Sequence, residues 1–209
     1  MASTEAMPRA GPTRLFPAVT DWLRHELEVS GRPAEIAAFR AAAAGANIVP
    51  WELDLEAGEE TWFLLVASAE PRPLSIAGAR ALAVQLRAAA DGRHGRLSAW
   101  VGRSHGCPLD LYALVPIPPA MLRRGPNDAL SLAWRWEHWG TAELLRHVHE
   151  IPARPGQRRG LARFCVEFYA ADWTPWRALA TIRAQWPSLC FEVWPDYANG
   201  PALSNDPDG

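Results

Sequence analysis

The chain has 209 residues, a formal net charge of −2 and apolar side chains at 49% of its positions. This suits one folded domain or two small ones and excludes a disordered chain. No stretch approaches the roughly 18 consecutive apolar residues of a bilayer span and the first residues lack the apolar core of a signal peptide, so we expect a cytoplasmic protein.

The charges are segregated along the sequence. Residues 52–60 carry five acidic side chains and no basic one, whereas residues 71–109 carry six arginines against Asp91, a balance of 6 − 1 = +5. A further basic run spans 146–163. Adjacent blocks of opposite sign either neutralise each other within one fold or pair between two protomers.

Apolar and polar residues alternate over 21–30, which predicts a strand, although the spacing of Val19, Leu23 and Leu27 also allows a helix. Pro33 then begins a predicted helix that ends at Gly45. The next segments are predicted as an irregular acidic stretch at 46–60, an interior strand at 61–67, a helix capped by Ser75 over 76–90, a loop at 91–96 and a short strand at 97–101.

The second half of the chain begins with an alternating run at 109–115, predicted as a strand, and a helix from Asn127 to about Trp139. Residues 143–151 fit a helix or a strand equally, and 152–160 is a predicted mobile loop. The last segments form a compact βαβ pattern, with a strand at 164–169, a helix that Thr174 caps and Pro175 begins, and a strand at 189–194.

Four stretches resemble one known family, the YubB-type proteins of conjugative plasmids and genomic islands. They are DWL at 21–23 continuing into LEVSG at 27–31, LVPIP at 114–118, WEHWGT at 136–141 and FYAADWTP at 168–175.

The resemblance implies an α+β fold with a ferredoxin-like, mainly antiparallel sheet and helices on one face. It also implies that 143–151 is a strand and that 46–107 is an insertion, which we expect to be βαβ-like. We therefore expect one domain over 17–197 between disordered tails at 1–16 and 198–209. The family brings no enzymatic activity, and it implies carriage on mobile elements with action against host defences.

No nucleotide-binding, hydrolase or metalloprotease motif is present. His105 with Cys107 and His147 with His149 each place two metal-type ligands two residues apart, but this is not the spacing of structural zinc sites, and we expect no metal or cofactor. A thiolate at Cys107, favoured by Arg103 and His105, is the one enzymatic alternative.

Seven of the eleven tryptophans lie between residues 134 and 194. They either fill the core or form an aromatic platform beside arginines, where bases stack and guanidinium groups meet phosphates. The candidate contact residues are Arg158, Arg159, Arg163, Trp173 and Trp176. We therefore expect a non-enzymatic binding module that contacts single-stranded nucleic acid or a host protein. The alternative is an assembly protein that acts through its acidic and basic segments.

Overall fold

The computed structural model describes residues 20–71, 73–154 and 160–197. The predictions for the two tails and for residues 155–159 of the loop lie outside these ranges. The elements in chain order are β1 (Trp22–Gly31), α1 (Pro33–Ala43), α2 (Leu55–Ala67), α3 (Ile76–Ser98), α4 (Leu111–Leu114), α5 (Pro119–Leu122), α6 (Ala129–His138), β2 (Arg146–Glu150), β3 (Ala162–Ala171), α7 (Trp176–Gln185) and β4 (Cys190–Asp196). None of the described helices has the length and apolarity to cross a membrane.

The four strands form one antiparallel sheet in the order β2-β3-β1-β4. Strands β3 and β4 both flank β1, so the unit β3-α7-β4 is a split βαβ. Together with β1 and α1 this arrangement gives a ferredoxin-like fold of the α+β class, as predicted. Strand β2 lies within 143–151, so the choice of a strand for that segment is confirmed.

Helices α1 and α7 share one core with one face of the sheet. Pro33 at the first position of α1 fits the start of a helix, and Ile36, Phe39 and Ala43 form its buried stripe. The Phe39 ring packs edge-on against three rings, those of Phe164, Trp186 and Phe191, at centroid distances of 5.9, 5.4 and 5.5 Å. The alternation of β1 predicted this buried face correctly, because Leu27 and Val29 point into it.

Between α1 and β2 all the described elements are helices, apart from the single β-bridge of Gly45 with Cys107, so the predicted βαβ-like insertion is wrong. Residues 61–67, predicted as a strand, belong to α2. The Asp54 carboxylate accepts a hydrogen bond from the Ala57 N–H at 2.9 Å, and this cap starts a helix inside the stretch predicted as irregular. Glutamate in the first turn also favours a helix N-terminus.

Helix α3 is longer than predicted, and the loop at 91–96 and the strand at 97–101 are both wrong. Ser75 caps the helix as predicted. Gly92 and Gly95 lie inside the helix. Each costs only about 1 kcal/mol relative to alanine, and the many alanines of the helix offset this cost. The chain leaves helical structure only after Ser98.

The predicted strand at 109–115 is instead a turn followed by α4. The Asp110 carboxylate accepts from the backbone N–H groups of Tyr112 at 2.8 Å and Asn47 at 2.8 Å, which converts an alternating sequence into a capped helical turn. Gly45 packs directly against Asp110, and a Cβ at Gly45 would lie 2.1 Å from the Asp110 Oδ2. Asp128, rather than Asn127, caps α6.

Candidate functional site

The five candidate contact residues do not form one patch in the described part of the chain. Arg158 and Arg159 lie outside the described residues. Arg163 is the second residue of β3, whereas Trp173 and Trp176 follow the end of the same strand. An extended strand rises about 3.3 Å per residue, so about 26 Å of strand separates Arg163 from the end of β3 at Ala171, which the indoles follow. The prediction that Arg163 belongs to the aromatic surface is therefore wrong.

Arg163 is also engaged within the fold. Its Nε lies 3.2 Å from the Glu28 Oε1, and its Nη1 donates to the backbone carbonyl of Arg154 at 2.6 Å. The side chain is mostly buried, so the guanidinium holds the chain after β2 against the sheet. This role is structural.

Trp173 and Trp176 are both strongly exposed, at 58% and 48% of their surface. Two more aromatic residues occupy the same end of the sheet. Trp22 begins β1 and pairs with Ala171 at the end of β3, and Tyr197 follows the end of β4. We call Trp22, Trp173, Trp176 and Tyr197 the aromatic end of the sheet.

A tight turn at Asp172 presents this aromatic end. Asp172 has a φ of 64°, a left-handed conformation that Asp adopts more readily than most residues. Its backbone N–H donates to the Asp21 carbonyl at 2.6 Å, and its Oδ1 accepts from the Asp21 N–H at 3.0 Å. These bonds close the ends of β1 and β3 at the point where the chain turns toward α7.

A buried hydrogen-bond chain supports the aromatic end from beneath. The His25 ring stacks on Phe168 at 5.0 Å between centroids and lies fully buried. Its Nδ1 is 2.8 Å from the Leu23 carbonyl and its Nε2 is 2.8 Å from the Thr174 Oγ1. The Thr174 hydroxyl in turn lies 2.6 Å from the Tyr197 hydroxyl.

The protonation state of His25 follows from its burial, which lowers the pKa of the ring to about 4. At neutral pH the ring is uncharged, so Nδ1–H donates to Leu23 and Nε2 accepts from the Thr174 hydroxyl. Thr174 is itself buried, and its hydroxyl group is hydrogen-bonded to His25 and Tyr197. Among the described residues no side chain caps α7. The prediction that Thr174 caps this helix is therefore wrong.

The sheet face opposite the helices carries a network of charges that neutralise each other. The Arg24 Nε donates to Glu167 at 2.8 Å, and its Nη2 donates to Glu26 at 2.8 Å. Arg154 donates to Glu26 at 2.7 Å and stacks over the Trp194 ring at 3.9 Å. The pKa of Glu26 is lowered first by Arg154 and then by Arg24, so both arginines face a charged carboxylate.

Arg146 shows the same pairing of guanidinium and indole at the aromatic end, where it lies 3.8 Å above the Trp22 ring. Such contacts are attractive because the ring face is electron-rich. The sequence did not predict Trp22 or Tyr197 as contact residues, because Trp22 lies 151 residues before Trp173 and Tyr197 lies 24 residues after it. Only the strand order brings the three together.

The cysteine and histidine pairs do not form a reactive centre. Burial raises the pKa of the Cys107 thiol to about 11, and the thiol contacts the Leu109 carbonyl at 3.2 Å, so the expectation of a favoured thiolate is wrong. His147 packs edge-on against Tyr169, and His149 lies 3.5 Å from Glu167. The described residues contain no group of three or more His, Cys, Asp or Glu side chains arranged to hold a metal ion.

Fold and surface together define a ferredoxin-like α+β protein with an exposed aromatic end. No family model matches the chain, and no curated protein matches it. Among solved structures, the crystal structure of the protein api92 from Yersinia pseudotuberculosis, described under the family name DUF1281, is similar over 85% of this chain and 90% of that chain, with 12% sequence identity and a TM-score of 0.47.

Proposed function

We propose that this protein is a non-enzymatic binding module whose contact surface is the aromatic end of the sheet. The observation that carries this proposal is the exposure of the Trp173 and Trp176 indoles, at 58% and 48%. Tryptophan, tyrosine and arginine are the residues that most often dominate binding energy in interfaces. Arg146 lies over the Trp22 ring, and the Tyr197 hydroxyl is bonded to Thr174, which stands between the two indoles in the sequence. These contacts at one end of the sheet support a preformed contact surface.

The charges around this surface favour a protein partner over a nucleic acid. Arg24 faces Glu26 and Glu167, and Asp21 and Asp172 lie at the strand ends beside the indoles. Carboxylates at these positions repel a phosphate backbone, whereas mixed charges around exposed aromatic residues are common in protein–protein interfaces. We therefore propose a partner protein, with stacking of single-stranded nucleic acid as the competing outcome.

The proposal extends to biological context through the sequence resemblance described above. We propose that the protein is an accessory component of a mobile genetic element and that its partner is a host protein. Genes for a relaxase or a secretion system beside this gene would support this context, and a chromosomal neighbourhood without mobile-element genes in each genome that carries it would contradict it.

The test compares a variant with Trp173→Ala and Trp176→Ala against a Trp100→Ala control. Trp100 has the same exposure as Trp173 but follows α3, outside the aromatic end. In affinity purification from the source cells, we expect specific partners retained by the wild type and by the control to be lost from the double variant by at least about tenfold. Equal recovery with all three proteins would contradict the proposal.

A titration with fluorescently labelled single-stranded oligonucleotides separates the two partner classes. We expect no change in anisotropy even at low salt. Binding that weakens steeply with salt and is lost in the double variant would instead assign the aromatic end to nucleic acid, because each phosphate contact releases counterions.

A further inference from the structure

A second surface, separate from the aromatic end, lies on the hairpin of α2 and α3. Within the described ranges the two helices pack mainly against each other. Eight of the 13 residues of α2 are apolar, yet none of the residues described in this helix is buried. In α3 only Ala79 and Ala83 are buried among the described residues.

The exposed apolar side chains of the hairpin are large. Leu64 and Leu65 on α2 are exposed at 55% and 65%, and Ile76 and Val84 on α3 remain about half exposed. A helix of a folded protein normally buries its apolar stripe against a neighbour. Two helices that touch each other along one side each leave a flank uncovered, and four-helix packing is the common arrangement that covers such flanks.

The net charges of α2 and α3 indicate which molecule packs on their exposed flanks. Helix α2 carries Glu56, Glu59 and Glu60 without a basic residue, a charge of −3. Helix α3 carries four arginines and Asp91, a charge of 4 − 1 = +3. The two helices are therefore equal and opposite in charge.

Part of this charge is neutralised inside the hairpin. Arg80 lies 2.8 Å from Glu60, and Arg87 lies 3.2 Å from Glu59. Acidic and basic segments thus meet within one chain, one of the two arrangements that the sequence allowed. Glu56 lies 3.8 Å from Arg87 and keeps 84% of its side chain exposed. Arg93 and Arg96, in the C-terminal turns of α3, form no ion pair with any described carboxylate.

A two-fold axis that relates two protomers would repeat this pairing of opposite charges on its two sides. In a symmetric dimer each surface meets the same surface of the other copy. The symmetric arrangement in which α2 of one protomer faces α3 of its partner brings the acidic helix against the basic one on both sides of the axis. A like-on-like arrangement would place glutamates against glutamates, which is repulsive.

We propose that the α2–α3 hairpin is a homodimerisation surface, on which two hairpins pack as a four-helix bundle with Leu64 and Leu65 in the buried seam. The occupant is a second copy of this chain, and this inference is independent of the partner assigned to the aromatic end. Arg93 and Arg96 meet acidic side chains of the other protomer.

Sedimentation velocity of the full chain, from about 1 µM to about 100 µM, tests the proposal because dimer formation depends on concentration. The monomer mass is 23.0 kDa, and we expect the wild type to reach twice that value. A variant with Leu64→Ser and Leu65→Ser should weaken dimerisation by at least about tenfold with unchanged circular dichroism, because these side chains are exposed in the monomer. Leu130→Ser, an exposed leucine on α6, is the matched control and should dimerise like the wild type.

A charge exchange tests the orientation of the helices. The variant with Arg93→Glu and Arg96→Glu has two acidic helices, and the variant with Glu56→Arg and Glu60→Arg has two basic ones. We expect each alone to be monomeric and their mixture to form a heterodimer. A wild type that remains monomeric over the whole range, a dimer that survives the two serine substitutions, or a mixture that stays monomeric would each overturn the proposal.

Discussion

The buried His25 beneath the aromatic end makes stability depend on pH in a defined direction. Its pKa is about 4 in the folded protein against an ordinary value of 6.5. Between these values the unfolded chain binds a proton at this ring and the folded protein does not. The contribution of the neutral ring is therefore fully present above about pH 6.5 and is lost progressively as the pH falls toward 4.

The size of the effect follows from the shift. One pKa unit corresponds to about 1.4 kcal/mol, so the full difference amounts to about 3 kcal/mol. Lowering the pH from 7 to 5 traverses most of this window, and the expected loss in the free energy of unfolding is about 2 kcal/mol. The lowered pKa of Glu26 also makes the folded protein less stable as the pH falls. This second loss begins only below about pH 4.5, the ordinary pKa of the carboxyl group, and so lies outside the interval from pH 7 to pH 5.

Urea denaturation at pH 7 and pH 5 measures this loss, and a His25→Gln variant removes the titrating ring. We expect the variant to be less stable at pH 7, because the stacking on Phe168 is lost, and to lose about 2 kcal/mol less than the wild type between the two pH values. A His105→Gln control removes an exposed histidine and should keep the wild-type difference. Equal pH dependence in wild type and His25→Gln, or an NMR titration of His25 near 6.5, would refute the argument.

Two further predictions concern Gly45 and the cysteines. Gly45→Ala should lower the free energy of unfolding by about 2 kcal/mol in urea titrations, because its Cβ would overlap the Asp110 carboxylate while the backbone pairing of Gly45 with Cys107 holds the site in place; unchanged stability would mean that this packing is loose. Iodoacetamide at mildly alkaline pH should modify the exposed Cys190 at least about tenfold faster than Cys107 or Cys165, whose thiol pKa values burial raises to about 11. Intact-mass spectrometry follows the reaction, and rapid modification of Cys107 would revive the thiol-based enzyme hypothesis.

The sheet could be predicted from the sequence because one of its faces is buried and the other is charged. In β1, buried Leu23, Leu27 and Val29 alternate with Arg24 and Glu26 on the opposite face, and this contrast produces a period of two. Helix α2 has no such contrast, because none of its described residues is buried and its apolar residues are all exposed or half-buried. A run such as 61–67 then matches a buried strand in composition, and only the cap at Asp54 distinguishes the helix.

The candidate site was predicted by closeness along the chain, and extended structure breaks that assumption. Arg163 and Trp173 are only ten positions apart, but eight of these steps run along β3 and span about 26 Å, so the two residues lie at opposite ends of the strand. Trp22 and Tyr197 are remote from Trp173 in sequence and close to it in space, because β3 and β4 both run antiparallel to β1. In this topology, surfaces form where the ends of different strands meet.

The two proposed surfaces differ in what holds them in place, and this difference assigns them separate roles. The aromatic end is fixed by the turn at Asp172 and by the hydrogen bonds from His25 through Thr174 to Tyr197, so it is preformed for a partner of defined shape. Among the described elements, α2 and α3 have their main packing contacts with each other, and burying Leu64 and Leu65 against a second copy would stabilise the hairpin. Dimerisation would then place two aromatic ends on one particle, and a partner with two binding sites would be held more tightly than one aromatic end allows.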